Sequence, residues 1–451
     1  MKTILTTVQI GAKVNKVFWN NLKEFKKKHS VTNVYAFVMN GKYADEVLHP
    51  SVLDLVNKGE LILIEKNLNL NKKVRVYDTK VLAQNINAMA GQSNKLPADY
   101  SYIMPGTKSR FFTVASIGTN ARFFTSTGAL TEPNYITVAR SSGMRVKRGL
   151  QALAQHTYGF TYFQKGKGNK FDIYPLAADK TGNFHYLNEQ YHSGKYKNSY
   201  IEALILGDIH HGVTNKFARQ TYLKRIETLK PKYVVLHDLF DAESINHHNR
   251  HRLLDRIRNS QRNKDSLETE LKSVLKEINY LATRFPKVKF IVAESNHDVF
   301  LRTYVDMKFH HSEEHNYIQA IKIIPRILDL RNVVLQEALL TVGTLPKNFT
   351  FLRENSSFKV RGVELAQHGH KGANGSHGSA MQFRRLNLKM ISGHTHSPQI
   401  YENGMIVGTN TNLEQGYTIG GASSWMHADG ILYPNGTYSL LTAVHKQPIT
   451  K

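Results

Sequence analysis

EALILGDIHHG, residues 202–212, is an apolar run that stops at Gly207 and is followed at once by Asp208, His210 and His211. A buried strand with polar groups at its carboxyl end is where open α/β sheets hold ligands. Asp208 and His210 are one residue apart, so on an extended segment they face the same side and can reach one metal ion. Taken alone, the stretch reads more readily as a strand followed by a polar turn. Its recurrence decides between the two. VVLHDLFD (234–241) ends in Asp238 and Asp241, and FIVAESNHD (290–298) ends in Asn296, His297 and Asp298. VELAQHGH (363–370) ends in His368 and His370, and LKMISGHTHSP (388–398) carries His394 and His396. Five strand ends of this kind in one half of a chain are hard to explain as ordinary turns. Parallel strands of a single sheet would bring them to one crevice. Oxygen and imidazole ligands without thiolate suit manganese, zinc or iron, and in this number they suit two ions.

The rest of the composition narrows the class. There is no cysteine, which excludes disulfides, thiolate metal sites and cysteine nucleophiles and fits a cytoplasmic protein. No run approaches the roughly twenty apolar residues of a membrane span. MKTILTTVQIGAKV at the N-terminus reads as a strand, not a signal peptide. The chain is strongly basic: 60 Lys+Arg against 35 Asp+Glu give a net charge of +25. Such an excess favours a polyanionic partner, and without an amphipathic anchor nucleic acid is a better expectation than a membrane.

At 451 residues two domains are expected. The first part alternates strands and helices, with TILTTVQIG and VTNVYAFVMNG as strands around the helical KVFWNNLKEFKKKHS. From about residue 85 to 195, short aromatic and β-branched runs such as SRFFTVAS and ARFFTST mark a β-rich region, with KGKGNK as a hairpin tip. The polar YHSGKYKNS (191–199) sets the expected boundary, giving an α+β domain over 1–195, for DNA binding or oligomerisation, and a second domain over 196–451. In the second, SLETELKSVLKEINYLATRF (266–285) places Leu267, Leu271, Val274, Ile278 and Leu281 on one helical face, a packing stripe.

The ordered set Asp208-x-His210, Asp238-x-x-Asp241, Asn296-His297-Asp298, His368, Gly393-His394-x-His396 resembles the signature of the calcineurin-like metallophosphoesterases, over roughly Tyr200 to the end. The resemblance implies an α/β fold, a sandwich of two mixed sheets flanked by helices, here preceded by a separate N-terminal domain. It also implies a two-metal centre. Asp208, His210 and His396 would hold one ion; Asn296, His368 and His394 would hold the other; Asp238 would bridge. His297 would protonate or stabilise the leaving oxygen, with Asp241 orienting it. The cofactor implied is a pair of divalent ions, Mn²⁺ foremost, with Mg²⁺, Zn²⁺ or Fe²⁺ as alternatives. Two positions depart from the pattern: His237 and Ser295 stand where the family has glycine. Altered loop geometry or an added substrate contact is expected there. His211 and His370 are surplus histidines, and INHHNRH and KFHHSEEH read as solvated faces.

The family's members act on many phosphoesters, so the fold alone does not name the substrate. The net charge points to DNA. So does NRHRLLDRIRNSQRNK (249–264), in which Arg250, Arg252, Arg256 and Arg258 follow the second motif closely enough to meet backbone phosphates. A solvated helix face is the competing reading of that run. The layout of this half is most similar to the SbcD-like nucleases, and FFTSTGALTEPNY with QHTYGFTYF resembles a segment of metallophosphoesterases from T5-like phages. The function expected is a metal-dependent deoxyribonuclease. A nucleotide or cyclic-nucleotide phosphodiesterase, or a non-catalytic DNA-binding protein on the same scaffold, are the alternatives.

Overall fold

The computed structural model describes residues 1–40, 47–117, 121–137, 143–168, 170–247, 252–308, 314–415 and 418–443. The fold is mixed α/β. Its first large sheet has six strands, in the order Phe349–Leu352, Lys289–Ala293, Tyr233–Leu236, Ala203–Ile205, Ala428–Leu432 and Tyr438–Thr442. The first four are parallel; the last two run antiparallel and close that edge. Ala203–Ile205 is buried throughout, as a continuous apolar run in a parallel strand requires.

The second large sheet has ten strands and joins distant parts of the chain. Lys359–Val360, Val363–Glu364, Met390–Ser392, Gly404–Ile406 and Gln399–Tyr401 form one half. Ser109–Val114, Arg122–Thr127, Ser101–Met104, Val74–Val76 and Leu68–Asn69 form the other, and the halves meet where Ile400 pairs with Phe111. The two sheets share a core: Ile205, Val235 and Ile291 of the first pack in one cluster with Val363, Ile391, Met405, Phe111 and Phe123 of the second.

A third sheet, of five strands, contains Lys2–Gln9, Asn33–Met39, Gly159–Lys165 and Phe171–Ala177. Helix Lys16–Lys28 covers one face with Phe18, Leu22 and Phe25, while Leu5, Phe37, Phe163 and Ile173 enter the core of the two larger sheets. KGKGNK does connect antiparallel strands, with Lys165 opposite Phe171.

One expectation is corrected here. The five ligand-bearing strands do not lie in a single sheet: three belong to the six-stranded sheet and two, Val363–Glu364 and Met390–Ser392, to the ten-stranded one. Sheet pairing and core packing link the N-terminal part to the rest of the chain. The 195/196 boundary falls inside a hairpin in which Glu189 pairs with Asn198, and sheet pairing and core packing both cross it.

Helix Leu267–Arg284 packs behind the first sheet as its stripe predicts, with Leu267, Leu271, Val274, Ile278 and Leu281 all buried. Ser266 caps it by accepting the amide of Thr269.

Candidate metal centre

The carboxyl ends of the strands Ala203–Ile205, Tyr233–Leu236 and Lys289–Ala293 face the loops that follow Val363–Glu364 and Met390–Ser392. Between them the ligand atoms of Asp208, His210, Asp238 and His396 lie within 4.8 Å of one another, and those of Asp238, His368 and His394 form a second such group. Asp238 belongs to both. Its Oδ2 is 3.3 Å from His210 Nε2 and 3.1 Å from His368 Nε2. His396 Nε2 is 3.1 Å from Asp208 Oδ2, and Asn296 Oδ1 is 3.1 Å from His368 Nε2.

The local backbone is shaped for this meeting. His210, Asp238, His394 and His396 all have φ between 43° and 77°. The left-handed region costs a non-glycine residue about 1–3 kcal/mol and persists only where the surroundings enforce it, typically at functional sites. Two glycines make the approach possible. A Cβ on Gly207 would stand 2.8 Å from Gly408 O, and a Cβ on Gly393 would stand 2.2 Å from Asp208 Oδ1. Only glycine at 393 leaves room for the carboxylate.

Electrostatics favour cation binding. Burial alone pushes the Asp238 carboxyl up, yet His368 and His210 hold it well below the usual carboxylate range. Burial takes His394 down to about 4, leaving a neutral imidazole with a free lone pair. Asp208 Oδ1 and Asp238 Oδ1 are buried with no hydrogen-bond partner among the described residues, a costly state for a carboxylate, and positive charge at the cluster would offset it. The donor set, imidazole with carboxylate and one amide oxygen, fits divalent manganese, iron or zinc.

Around the ligands the roles differ from expectation in one respect. His297 lies beside the first group, its ring centroid 4.5 Å from that of His210. Its Nδ1 donates to the backbone carbonyl of Asp241 at 2.6 Å, not to the carboxylate. The Asp241 carboxylate instead accepts from His210 Nδ1 at 3.0 Å, which fixes His210 with Nε2 toward the ligand cluster. The reason is backbone direction: the chain turns at Ala242, φ 59°, and leaves the Asp241 carbonyl facing His297. Glu270 clamps this turn by accepting the amides of Glu243 and Ser244, each at 3.1 Å. Phe300 stacks on His297, with centroids 5.0 Å apart.

The two departures from the family pattern also have places. Ser295 caps helix Asn296–Thr303 in a reciprocal box with Asp298, so Asp298 serves the backbone. His237 is fully buried against Gly393, and burial takes it down to about 4. Of the surplus histidines, His211 Nε2 bonds Ser273 Oγ, and His370 Nε2 meets Glu354 Oε1 at 2.5 Å.

Arg252, Arg256 and Arg258 lie on or next to helix Leu253–Gln261. Arg252 and Arg258 are both paired with Asp255, and Arg256 lines a cavity of about 440 Å³ with Glu243, Leu253 and Tyr304. Arg250 lies outside the described residues, as do parts of INHHNRH and KFHHSEEH. Three residues beside the centre escaped the motif analysis: Phe300, Glu354 and Trp425. Phe300 meets His297 from one turn along the same helix, Glu354 meets His370, and Trp425 meets His396.

The comparisons with known proteins follow the geometry. The chain is similar to protein A1 of Escherichia phage T5, with 28% identity over an aligned length of 476 residues, covering 97% of this chain and 81% of that protein. This similarity supports a phage-encoded protein. No protein-family profile matches the chain, and no solved structure matches it. The buried His/Asp cluster marks a site able to hold metal ions, as in a metal-dependent enzyme. Among the described residues no helix is long and apolar enough to cross a membrane.

Proposed function

We propose that the protein is a phosphodiesterase of the calcineurin-like metallophosphoesterase type that hydrolyses DNA. The observation that carries this reading is the shared Asp238 carboxylate, with one oxygen in reach of both His210 and His368. Asp208, His210, Asp238 and His396 would hold one divalent ion; Asp238, Asn296, His368 and His394 would hold a second, Mn²⁺ being the ion expected. When bound, such a pair supplies Lewis acidity toward a phosphate and a water of lowered pKa.

The chain's own groups do the rest. The Asp241 carboxylate holds His210 by Nδ1, keeping its Nε2 available as a ligand. The carbonyl of Asp241 accepts only, so Nδ1 of His297 keeps its proton in every state, and Nε2 would donate to a leaving oxygen from the doubly protonated ring. Phe300 fixes the plane of that ring. The two packed sheets support both ligand groups on strand ends, which limits their movement.

DNA as the substrate is supported by the net charge of +25 and by the arginine-bearing helix that begins at Leu253, in the segment following Asp241. The similarity to a phage protein agrees with a phage nuclease acting in the host cytoplasm. The test is incubation with supercoiled plasmid, linear duplex, single strands and a small chromogenic phosphodiester, each with Mn²⁺, Mg²⁺ or chelator. Cleavage of DNA that chelator abolishes is the expected result. Turnover of the small diester with DNA left intact would favour a nucleotide phosphodiesterase, and DNA binding without any turnover would favour a non-catalytic DNA-binding protein.

A further inference from the structure

Trp425 stands at the rim of the ligand cluster. Its ring meets that of His396 edge to face, with centroids 4.2 Å apart and planes at 72°, and it is partly exposed. The segment that carries it is tied to the ligand's own backbone. Met426 N donates to His396 O at 3.1 Å, and Ser424 Oγ lies 2.7 Å from Ser397 Oγ. Just before it, Ala422–Ser423 pairs antiparallel with Ser116–Ile117, so the N-terminal half supplies one strand of this rim. Two large apolar side chains stand in solvent on the same feature: Ile117 is 93% exposed and Ile419 is 70% exposed.

A rigidly held, partly exposed indole beside a ligand set for phosphate chemistry, with bare isoleucines farther out, is poorly suited to water and well suited to nucleobases. We infer that Trp425 is a stacking platform for the base next to the phosphate held at the metal centre, with Ile117 and Ile419 as an apolar tip against its neighbours. This rests on the DNA reading above and sharpens it. Bases in duplex DNA have their faces covered by stacking, whereas those of single strands and unpaired ends are free. Every base has a π-face, so such a platform selects unstacked DNA without selecting sequence. Apolar side chains that enter between base steps are a recurrent device of DNA-binding proteins. The substrate class inferred is therefore single-stranded or end-frayed DNA.

The chain has two tryptophans, and Trp19 is buried in the N-terminal core, which makes the platform directly observable. In a Trp19→Phe protein loaded with Mn²⁺, a phosphorothioate oligothymidine should quench the remaining Trp425 fluorescence. An abasic chain of the same length and charge should not. Trp425→Ala should raise the KM for single-stranded oligonucleotides about 5- to 150-fold, the loss of one base–aromatic stack, with metal content retained. Trp425→Phe should recover most of that loss. Equal quenching by the abasic chain, or an unaltered KM in Trp425→Ala, overturns the platform and leaves the nuclease reading standing. Wild-type protein that turns over a chromogenic diester but neither binds nor cuts oligonucleotides overturns both.

Discussion

His210 Nε2 lies 3.2 Å from His396 Nε2, although the two residues are 186 positions apart in the chain. Two imidazole nitrogens this close cannot both present lone pairs to each other without cost. Each is also beside a carboxylate oxygen, of Asp238 and Asp208 respectively. A shared cation would satisfy all four groups at once, whereas a proton on one ring would satisfy them only in part. The fold thus holds together four groups able to share a metal ion.

The first prediction follows from the carboxylate that the two groups share. Asp238→Asn should lower bound metal at both sites and abolish phosphodiester hydrolysis. Metal analysis of protein dialysed against Mn²⁺ measures this directly. Loss of one ion with the other retained at full affinity would mean that Asp238 serves a single site.

His297 and Asp241 should separate in their effects. His297 touches no ligand carboxylate within hydrogen-bond range, so His297→Ala should keep its metal while turnover falls by about 10²–10⁴-fold. The Asp241 carboxylate holds the ligand His210 instead. Asp241→Ala should therefore weaken metal binding by about 10–100-fold, with activity partly recovered in excess Mn²⁺. Metal titrations of the two variants decide the matter: identical metal affinities would contradict the geometry.

Much of this centre is legible in the sequence, because a ligand at a strand end leaves a local mark. Asp208, Asp238, Asn296, His368 and His394 each follow an apolar run that can be read without the fold. What is not legible comes from long-range placement. Nothing near Phe111 shows that it pairs opposite Ile400, so the sheet that joins the β-rich region to the strands near residue 400 cannot be read from the sequence. The direction of a carbonyl is equally invisible, and hence the Asp241 carboxylate is read onto His297 when it belongs to His210. Ser295 looks like a lost glycine and is a helix cap.

A stability prediction concerns Lys108, which is 2% exposed and donates to Ala83 O and Thr107 Oγ1. Burial, and then the neighbouring Arg110, lower its pKa to about 7. The unfolded chain has the ordinary value near 10.5, so between these limits it binds more protons than the folded protein. Stability should therefore rise with pH from about 7 towards 10.5, by at most about 1.4 kcal/mol per unit from this group. Lys108→Met lacks that contribution. Urea unfolding of both proteins at pH 7, 8 and 9 should show a stability difference that shifts toward the wild type as pH rises. A difference independent of pH would mean that the ammonium is solvated in the folded state.

The last prediction concerns how DNA is gripped. Asp255 pairs with Arg258 at 3.1 Å and with Arg252 at 3.8 Å, so the three side chains together carry a single net positive charge. Both arginines remain about 60% exposed, at 61% and 60%, so either can turn to a phosphate. Replacing Arg252, Arg256 and Arg258 with Gln should weaken DNA binding about equally for all sequences. Each lost phosphate contact should flatten the log–log salt dependence by roughly one unit. Asp255→Asn should act in the opposite direction, strengthening binding at low salt, because it releases both guanidinium groups from their internal partner. Filter binding across a salt series reads both variants. A solvated helix face predicts that neither changes the slope, and that result would remove this helix from the DNA path. A flatter slope for the triple variant together with tighter binding by Asp255→Asn is the pattern that only phosphate contact produces.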